Sequence, residues 1–165
     1  IARQFCEAQH AFDIKLAQND AEADKLWTGR KLGSVALYRL NKMMLVEDTT
    51  VPLSKIPAMV RKINEVAEKY KVSMYLLAHA GDGNMHPLIT YDPDNKDEAE
   101  RVDKAVREIF ETSIALGGTL TGEHGIGLAK KEFMSLEVTP AELQVWKNIK
   151  KCFDPDGILN PGKFV

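Results

Sequence analysis

Three histidines and one glutamate, set in two glycine-rich segments, are the residues of this chain best suited to chemistry. The first segment is His79-Ala80-Gly81-Asp82-Gly83-Asn84-Met85-His86, and the second is Gly122-Glu123-His124-Gly125-Ile126-Gly127. Two imidazole nitrogens with a carboxylate form a transition-metal ligand set that leaves positions open for water or substrate. A further imidazole beside such a site can accept a proton near neutral pH. The composition is therefore that of a metal centre with a base next to it.

Spacing constrains how the first pair could meet. Residues 75–78 read as a buried strand, and along a straight strand positions 79 and 86 would point to opposite faces. Gly81, Asp82, Gly83 and Asn84 readily adopt positive φ, so a turn between the histidines can bring both rings to one point. Glu123 is the expected third ligand, in a segment too rich in glycine for a helix or strand. Asp82 is its rival, but an aspartate in a Gly-Asp-Gly turn more often bonds nearby backbone amides. His124 is the expected acid-base residue. His10 lies outside both segments and is read as structural. Neither segment matches a phosphate-binding loop, and Gly-x-Gly-x-x-Gly is absent, so a nucleotide cradle is not expected.

The elements that must position these residues follow from periodicity. Residues 11–17 alternate and read as a strand, and Asn19-Asp20 caps a helix from 21 to about 38 that carries Trp27 and Arg30. Trp27 reads as a packing residue. Residues 43–51 look extended and lead to Pro52. Ser54 can then cap a helix running to Tyr70, whose Ile56, Met59, Ile63 and Val66 fall on one apolar stripe. Residues 73–78 form the next strand, and 86–91 can return antiparallel to it, which puts the histidines at a strand junction.

Asn95 with Glu98 resembles a capping box opening a helix that Gly117-Gly118 stops. Residues 119–121 are a short extended entry to Glu123 and His124. A last helix, capped at Thr139-Pro140-Ala141-Glu142, runs to Phe153, and 158–165 is an irregular tail. Strands alternating with helices, with at least one antiparallel return, indicate an α+β fold: helices packed against a largely antiparallel sheet, followed by a C-terminal helical tail.

The chain has 165 residues, enough for one domain with a proper core, and 44% of them are hydrophobic. A formal charge of -2 without a basic cluster argues against nucleic acid as a partner. Cys6 and Cys152 lie far apart and form neither a metal-binding pair nor a redox motif, which suits free thiols in a reducing compartment. No apolar run reaches membrane-spanning length and no signal peptide is visible, so the expected location is the cytoplasm or the inner face of a membrane. The start at Ile1 rather than methionine points to a piece of something longer.

Four stretches together resemble the C-terminal half of the FAD-linked oxidases of the vanillyl-alcohol oxidase superfamily, the group that includes glycolate oxidase, D-lactate dehydrogenase and D-2-hydroxyglutarate dehydrogenase. They are Leu26-Trp27-x-x-Arg30, the turn from His79 to His86, Gly122-Glu123-His124-Gly125-Ile126-Gly127, and Asp154-Pro155-Asp156-Gly157-Ile158-Leu159-Asn160-Pro161-Gly162-Lys163. The resemblance spans nearly the whole chain and implies a ferredoxin-like cap domain that binds substrate and metal.

It also implies oxidation of a D-2-hydroxy acid to the 2-oxo acid with hydride passing to FAD. His79, His86 and Glu123 would hold a divalent metal, often zinc, that binds the substrate hydroxyl and carboxylate. His124 would take the hydroxyl proton, Arg30 would grip a substrate carboxylate, and Asn160 and Lys163 would approach the flavin. FAD would be bound mainly by an N-terminal domain absent from this chain, so the chain alone should not turn over. A downstream electron acceptor is implied, and a homodimer is possible within the group.

Departures from the hydroxyglutarate enzymes bear on the substrate. Where they resemble His-x-Asn after the turn, this chain has His86-Pro87-Leu88, and where they carry a lysine before the extended segment ending at Pro52, it has Val46. Both changes remove polar contacts and favour a small or more apolar hydroxy acid such as lactate or glycolate. Two readings from other classes compete with the dehydrogenase: a free-standing metal-dependent hydrolase using His124 as proton shuttle, and a non-catalytic module whose metal site only stiffens the fold.

Overall fold

Residues 43–50, 73–79 and 84–91 build one antiparallel sheet in the computed structural model, which describes residues 1–11 and 13–163. Strand β4 (Asn84–Tyr91) is central. On one side it pairs with β1 (Met43–Val46) and β2 (Thr49–Thr50), two pieces of one extended segment, and on the other with β3 (Ser73–His79). Thr119 adds an antiparallel bridge to Thr50 at the outer edge. With a helix after β2 and another after β4, the order is strand, helix, strand, strand, helix, bridge, which is the split βαβ arrangement of ferredoxin-like folds. The expected α+β architecture is the one observed.

Helices α3 (Ile56–Tyr70) and α4 (Lys96–Ala115) cover one face of this sheet. Their stripes are those read from the sequence: Met59, Ile63 and Val66 from α3, and Val102, Ile109 and Phe110 from α4, are buried with Met85 and Ile89 of β4. Because side chains alternate along a strand, Asn84, His86 and Leu88 of β4 point to the opposite face. The histidine therefore belongs to the side of the sheet away from these two helices. Phe133, in a 3-10 helix over Lys131–Leu136 that the sequence reading did not anticipate, closes the core edge-on to Phe110 at 5.0 Å between ring centres.

Local signals succeed unevenly. Thr139 and Glu142 form a complete capping box at the start of α5 (Pro140–Phe153). At α4 the box is half made, because the Asn95 side chain accepts from the Glu98 amide while the Glu98 carboxylate accepts from Asp92 instead of Asn95. Ser54 does not cap α3: a 3-10 turn over Leu53–Lys55 intervenes and Lys55 stands at the N-cap without a side-chain bond. Pro57 in the first turn of α3 removes one of the amides that such a cap would serve.

The chain separates into two compact units, Ile1–Leu40 and Asn41–Val165. In the first, α1 (Ala2–Ala8) was not anticipated, and α2 (Asp20–Leu37) starts at Asn19, whose side chain accepts from the Glu22 amide at 3.0 Å. Residue 11 and residues 13–17 of the strand expected over 11–17 are irregular and pair with no strand among the described residues; Phe12 lies outside the described residues, as do positions 164 and 165 of the expected tail. Neither helix of this unit has a buried residue, and Trp27, expected to pack, is 61% exposed. Among the described residues no helix is long and apolar enough to cross a membrane.

Candidate metal centre

The turn between β3 and β4 explains how two histidines seven positions apart share a face. His79 pairs with Asn84, and Leu77 pairs with His86. His79 and Leu77 are alternate residues of β3, so His79 lies diagonally across from His86 on the same side of the sheet. Their ring centres are 5.4 Å apart, edge to face. The turn is closed by the amides of Asp82 and Gly83 donating to the His79 carbonyl and by the Asp82 carboxylate accepting from the Asn84 amide at 2.9 Å. Asp82 thus bonds the backbone, as expected of it.

Of the four turn residues expected to take positive φ, only Gly83 does, at +80°. A Cβ there would fall 2.1 Å from the carbonyl oxygen of Val51, whose amide donates to the Gly83 carbonyl. The glycine is needed for close approach as much as for its dihedral.

The second segment arrives beside the hairpin. The Glu123 Oε1 lies 3.0 Å from Nε2 of His86, 3.5 Å from Nε2 of His79 and 3.8 Å from Nε2 of His124. Gly122 makes this approach possible, because a Cβ at that position would sit 2.3 Å from the Thr50 hydroxyl and 2.6 Å from the Asn84 side chain. His124 stacks on His86 with ring centres 5.0 Å apart and planes at 24°. The four residues expected to form the site are therefore together.

Ligand atoms of His79, His86 and Glu123 all lie within 4.8 Å of one another. Tetrahedral zinc with bonds of about 2.0–2.1 Å holds its ligand atoms roughly 3.3–3.4 Å apart, and the two Glu123 to histidine distances bracket that value. Donor type and geometry both fit a divalent ion. The Nδ1 of His86 faces the backbone carbonyl of Glu47 at 3.3 Å, an acceptor that favours a proton on Nδ1 and makes Nε2, on the Glu123 side, the nitrogen suited to bind an ion. His86 is nearly buried, whereas about half of the side-chain surface of His79, Glu123 and His124 is open to solvent.

The sequence reading missed Asp48. Its carboxylate is fully buried and accepts from the Thr121 hydroxyl and from the amides of Gly122, Glu123 and His124 at 2.9–3.1 Å. Burial works against this charge, but the Thr121 hydroxyl and the three amides outweigh it and hold the Asp48 carboxyl well below the usual carboxylate range. Asp48, His86 and His124 also converge within 4.8 Å, but the Asp48 oxygens already carry these donors, so His79, His86 and Glu123 are the better ligand set.

Lys130, also missed, is buried with its ammonium bonded to the carbonyl oxygens of Asp48 and Leu120 and 3.7 Å from the Asp48 carboxylate. Burial pulls Lys130 down while Asp48 and Glu47 pull it up, and burial prevails. Burial likewise pushes the neighbouring Glu47 carboxyl up to about 7 against the opposing charge of Lys130. The signal for Glu47 and Asp48 was an acidic pair directly after the apolar run Met43–Val46, and Lys130 had none of its own.

Asn160 and Lys163 line a cavity of about 620 Å³ together with Gly125, Ile126 and Gly127, the residues that follow His124. Arg30 is exposed on α2 in the N-terminal unit. Cys6 and Cys152 are free and exposed.

Comparison with known proteins agrees with this architecture. The family model described as "FAD linked oxidases, C-terminal domain" matches residues 1–164, and the chain belongs to that family. It is 46% identical over 158 residues to the glycolate oxidase subunit GlcD of Bacillus subtilis (strain 168), covering 96% of this chain and 34% of that protein. It is 29% identical over 167 residues to the mitochondrial D-lactate dehydrogenase [cytochrome] of Arabidopsis thaliana, covering 100% of this chain and 30% of that protein. With the D-2-hydroxyglutarate dehydrogenase of Stutzerimonas stutzeri (strain A1501) the identity is 30% over 156 residues, 92% of this chain and 33% of that protein. The chain thus spans about a third of the length of the curated relatives it matches.

Proposed function

We propose that this chain is the substrate- and metal-binding domain of a flavin-dependent D-2-hydroxy-acid dehydrogenase of the lactate or glycolate type. The observation that carries the reading is the meeting of His79, His86 and Glu123 at one point with His124 stacked beside them. Membership of the FAD-linked oxidase family supports the redox class, and the names of the relatives support a 2-hydroxy acid as substrate. FAD would be held mainly by a flavin-binding domain or subunit outside this chain, and electrons would pass onward to a separate acceptor.

His79, His86 and Glu123 would hold a divalent ion, zinc in the first instance, which supplies Lewis acidity toward the hydroxyl and carboxylate of the substrate. The chain's own residues do the rest. The Glu47 carbonyl keeps His86 in the tautomer that offers Nε2. His124 accepts the substrate hydroxyl proton as hydride leaves the carbon, and Arg30 pairs with a substrate carboxylate. Asn160 and Lys163 would approach the flavin, a role that the cavity they share with the loop following His124 supports.

Two features favour a small or apolar substrate. Val46 and Leu88 are register partners on the histidine-bearing face of the sheet, and Leu88 is two residues from His86. Neither side chain offers a cation or amide to a second carboxylate.

Full-length protein carrying its flavin tests the reading in a rapid-mixing experiment without oxygen. D-lactate or glycolate should bleach the oxidised flavin, and His124→Ala should slow that step by about 100-fold or more with the flavin still bound. Unchanged flavin reduction in the variant would remove His124 from the reaction, and no reduction of the parent by either acid would remove the substrate class.

A further inference from the structure

The segment from Thr121 to Gly127 carries two of the four site residues yet has no helix or strand of its own. Glu123 and His124 are also half exposed, so packing does little to aim them. What does order the segment is a single buried anion reached from the distant link between β1 and β2. We propose that Asp48 is a positioning residue for the metal centre: by gathering the Thr121 hydroxyl and three successive amides on one carboxylate, it fixes the direction in which Glu123 and His124 leave the backbone. This rests on the metal-centre reading above and extends it to residues that touch neither ion nor substrate.

The bonds are specific to that task. One carboxylate oxygen accepts from Thr121, Gly122, Glu123 and His124, and the other accepts from Gly122 at 3.0 Å. Successive amides converging on one anion form a concavity that only a particular backbone path allows, so the path is set by where the anion sits. The Thr121 hydroxyl that donates to Asp48 also accepts from the Gly125 amide at 2.9 Å, closing the loop on the far side of His124.

The anion is itself held from behind. Lys130 bonds the Asp48 carbonyl and the Leu120 carbonyl at once, tying the end of the strand segment that bears Asp48 to the entry of the segment that bears the ligands. Its charge lies 3.7 Å from the Asp48 carboxylate, which offsets the cost of burying that carboxylate. On the other side of the centre, the Glu47 carbonyl orients His86. Two adjacent residues therefore reach both halves of the site, one through its backbone and the other through its side chain.

Asp48→Asn keeps the shape and one good acceptor but removes the charge, and Lys130→Met removes the tie with little change of volume. Two readouts on the full chain separate aim from bulk stability: hydrogen exchange of the amides of residues 122–124 in metal-free protein, and Co²⁺ titration followed by the ligand-field absorption of the ion. We expect Asp48→Asn to speed exchange of those three amides by at least about 10-fold and to weaken Co²⁺ binding by about 10- to 100-fold. The Co²⁺ spectrum should change while the thermal transition stays cooperative. Lys130→Met should act in the same direction, and it carries the test if Asp48→Asn fails to fold.

Unchanged exchange at 122–124 overturns the proposal, as does faster exchange with parental Co²⁺ affinity. Complete loss of Co²⁺ with unchanged exchange would make Asp48 a ligand rather than a positioner. Parent protein that protects these amides yet binds no Co²⁺ would instead overturn the metal-centre reading itself, and the two failures are thereby distinct.

Discussion

Val46 and Leu88 face each other across β1 and β4, one alternate step along the sheet from His86. Leu88 is 3% exposed and Val46 37% exposed, so the pair presents an apolar wall reaching from the core to the surface beside the histidines. Under the proposed function, a substrate whose second carbon carries hydrogen or methyl would lose nothing against that wall. A second carboxylate would have to give up water there without gaining a partner.

Replacing the pair by polar residues should therefore shift selectivity. Val46→Lys with Leu88→Asn in the full-length enzyme is expected to raise kcat/KM for D-2-hydroxyglutarate relative to D-lactate by about 10-fold or more, within the range that a new buried polar contact can supply. Steady-state assays of both acids on parent and variant measure the ratio. An unchanged ratio would show that neither position meets the substrate.

The hairpin turn gives a contrast between two glycines. Gly83→Ala must hold alanine at φ +80° with its Cβ on the Val51 carbonyl, and should cost about 1–2 kcal/mol or more. Gly81→Ala enters open space without a positive φ and should stay within about 0.5 kcal/mol of the parent. Urea titrations of the two variants provide the comparison. Equal stabilities would mean that the turn is not built as described.

How much of this was legible from residues alone depends on how far apart the cooperating groups lie in the chain. The stripes of α3 and α4, the hairpin and the Thr139 capping box are local patterns, and each could be read without knowing the rest of the fold. The 3-10 helix over Lys131–Leu136 carries no such period, and residues 13–17 alternate yet pair with no strand among the described residues. His79, His86, Glu123 and His124 declared themselves by residue type in segments where packing could not explain them. Asp48 and Lys130 did not. Their roles arise from bonds to positions more than seventy residues away in the case of Asp48, and the adjacent Glu47 is its one local hint.

A pH effect is expected away from the site. The Lys69 and Lys62 ammonium groups and the Tyr70 hydroxyl bond Glu108, joining α3 to α4 and holding its carboxyl down at about 2. A depressed folded-state value stabilises the fold above the ordinary glutamate range of about 4.3, and that stability is lost as pH falls toward 2. Glu108→Gln should lower stability at neutral pH and flatten its decline between about 4.3 and 2. Thermal melts of parent and variant across that interval give the answer. Parallel curves would show that Glu108 has no part in it.

Metal content addresses the central claim most directly. Protein purified without chelator, dialysed, and analysed by mass spectrometry of its elements should contain about one divalent ion per chain, and His79→Ala, His86→Ala and Glu123→Gln should each lower that content at equal folded fraction. Equal and negligible metal in the parent and all three variants would contradict the account.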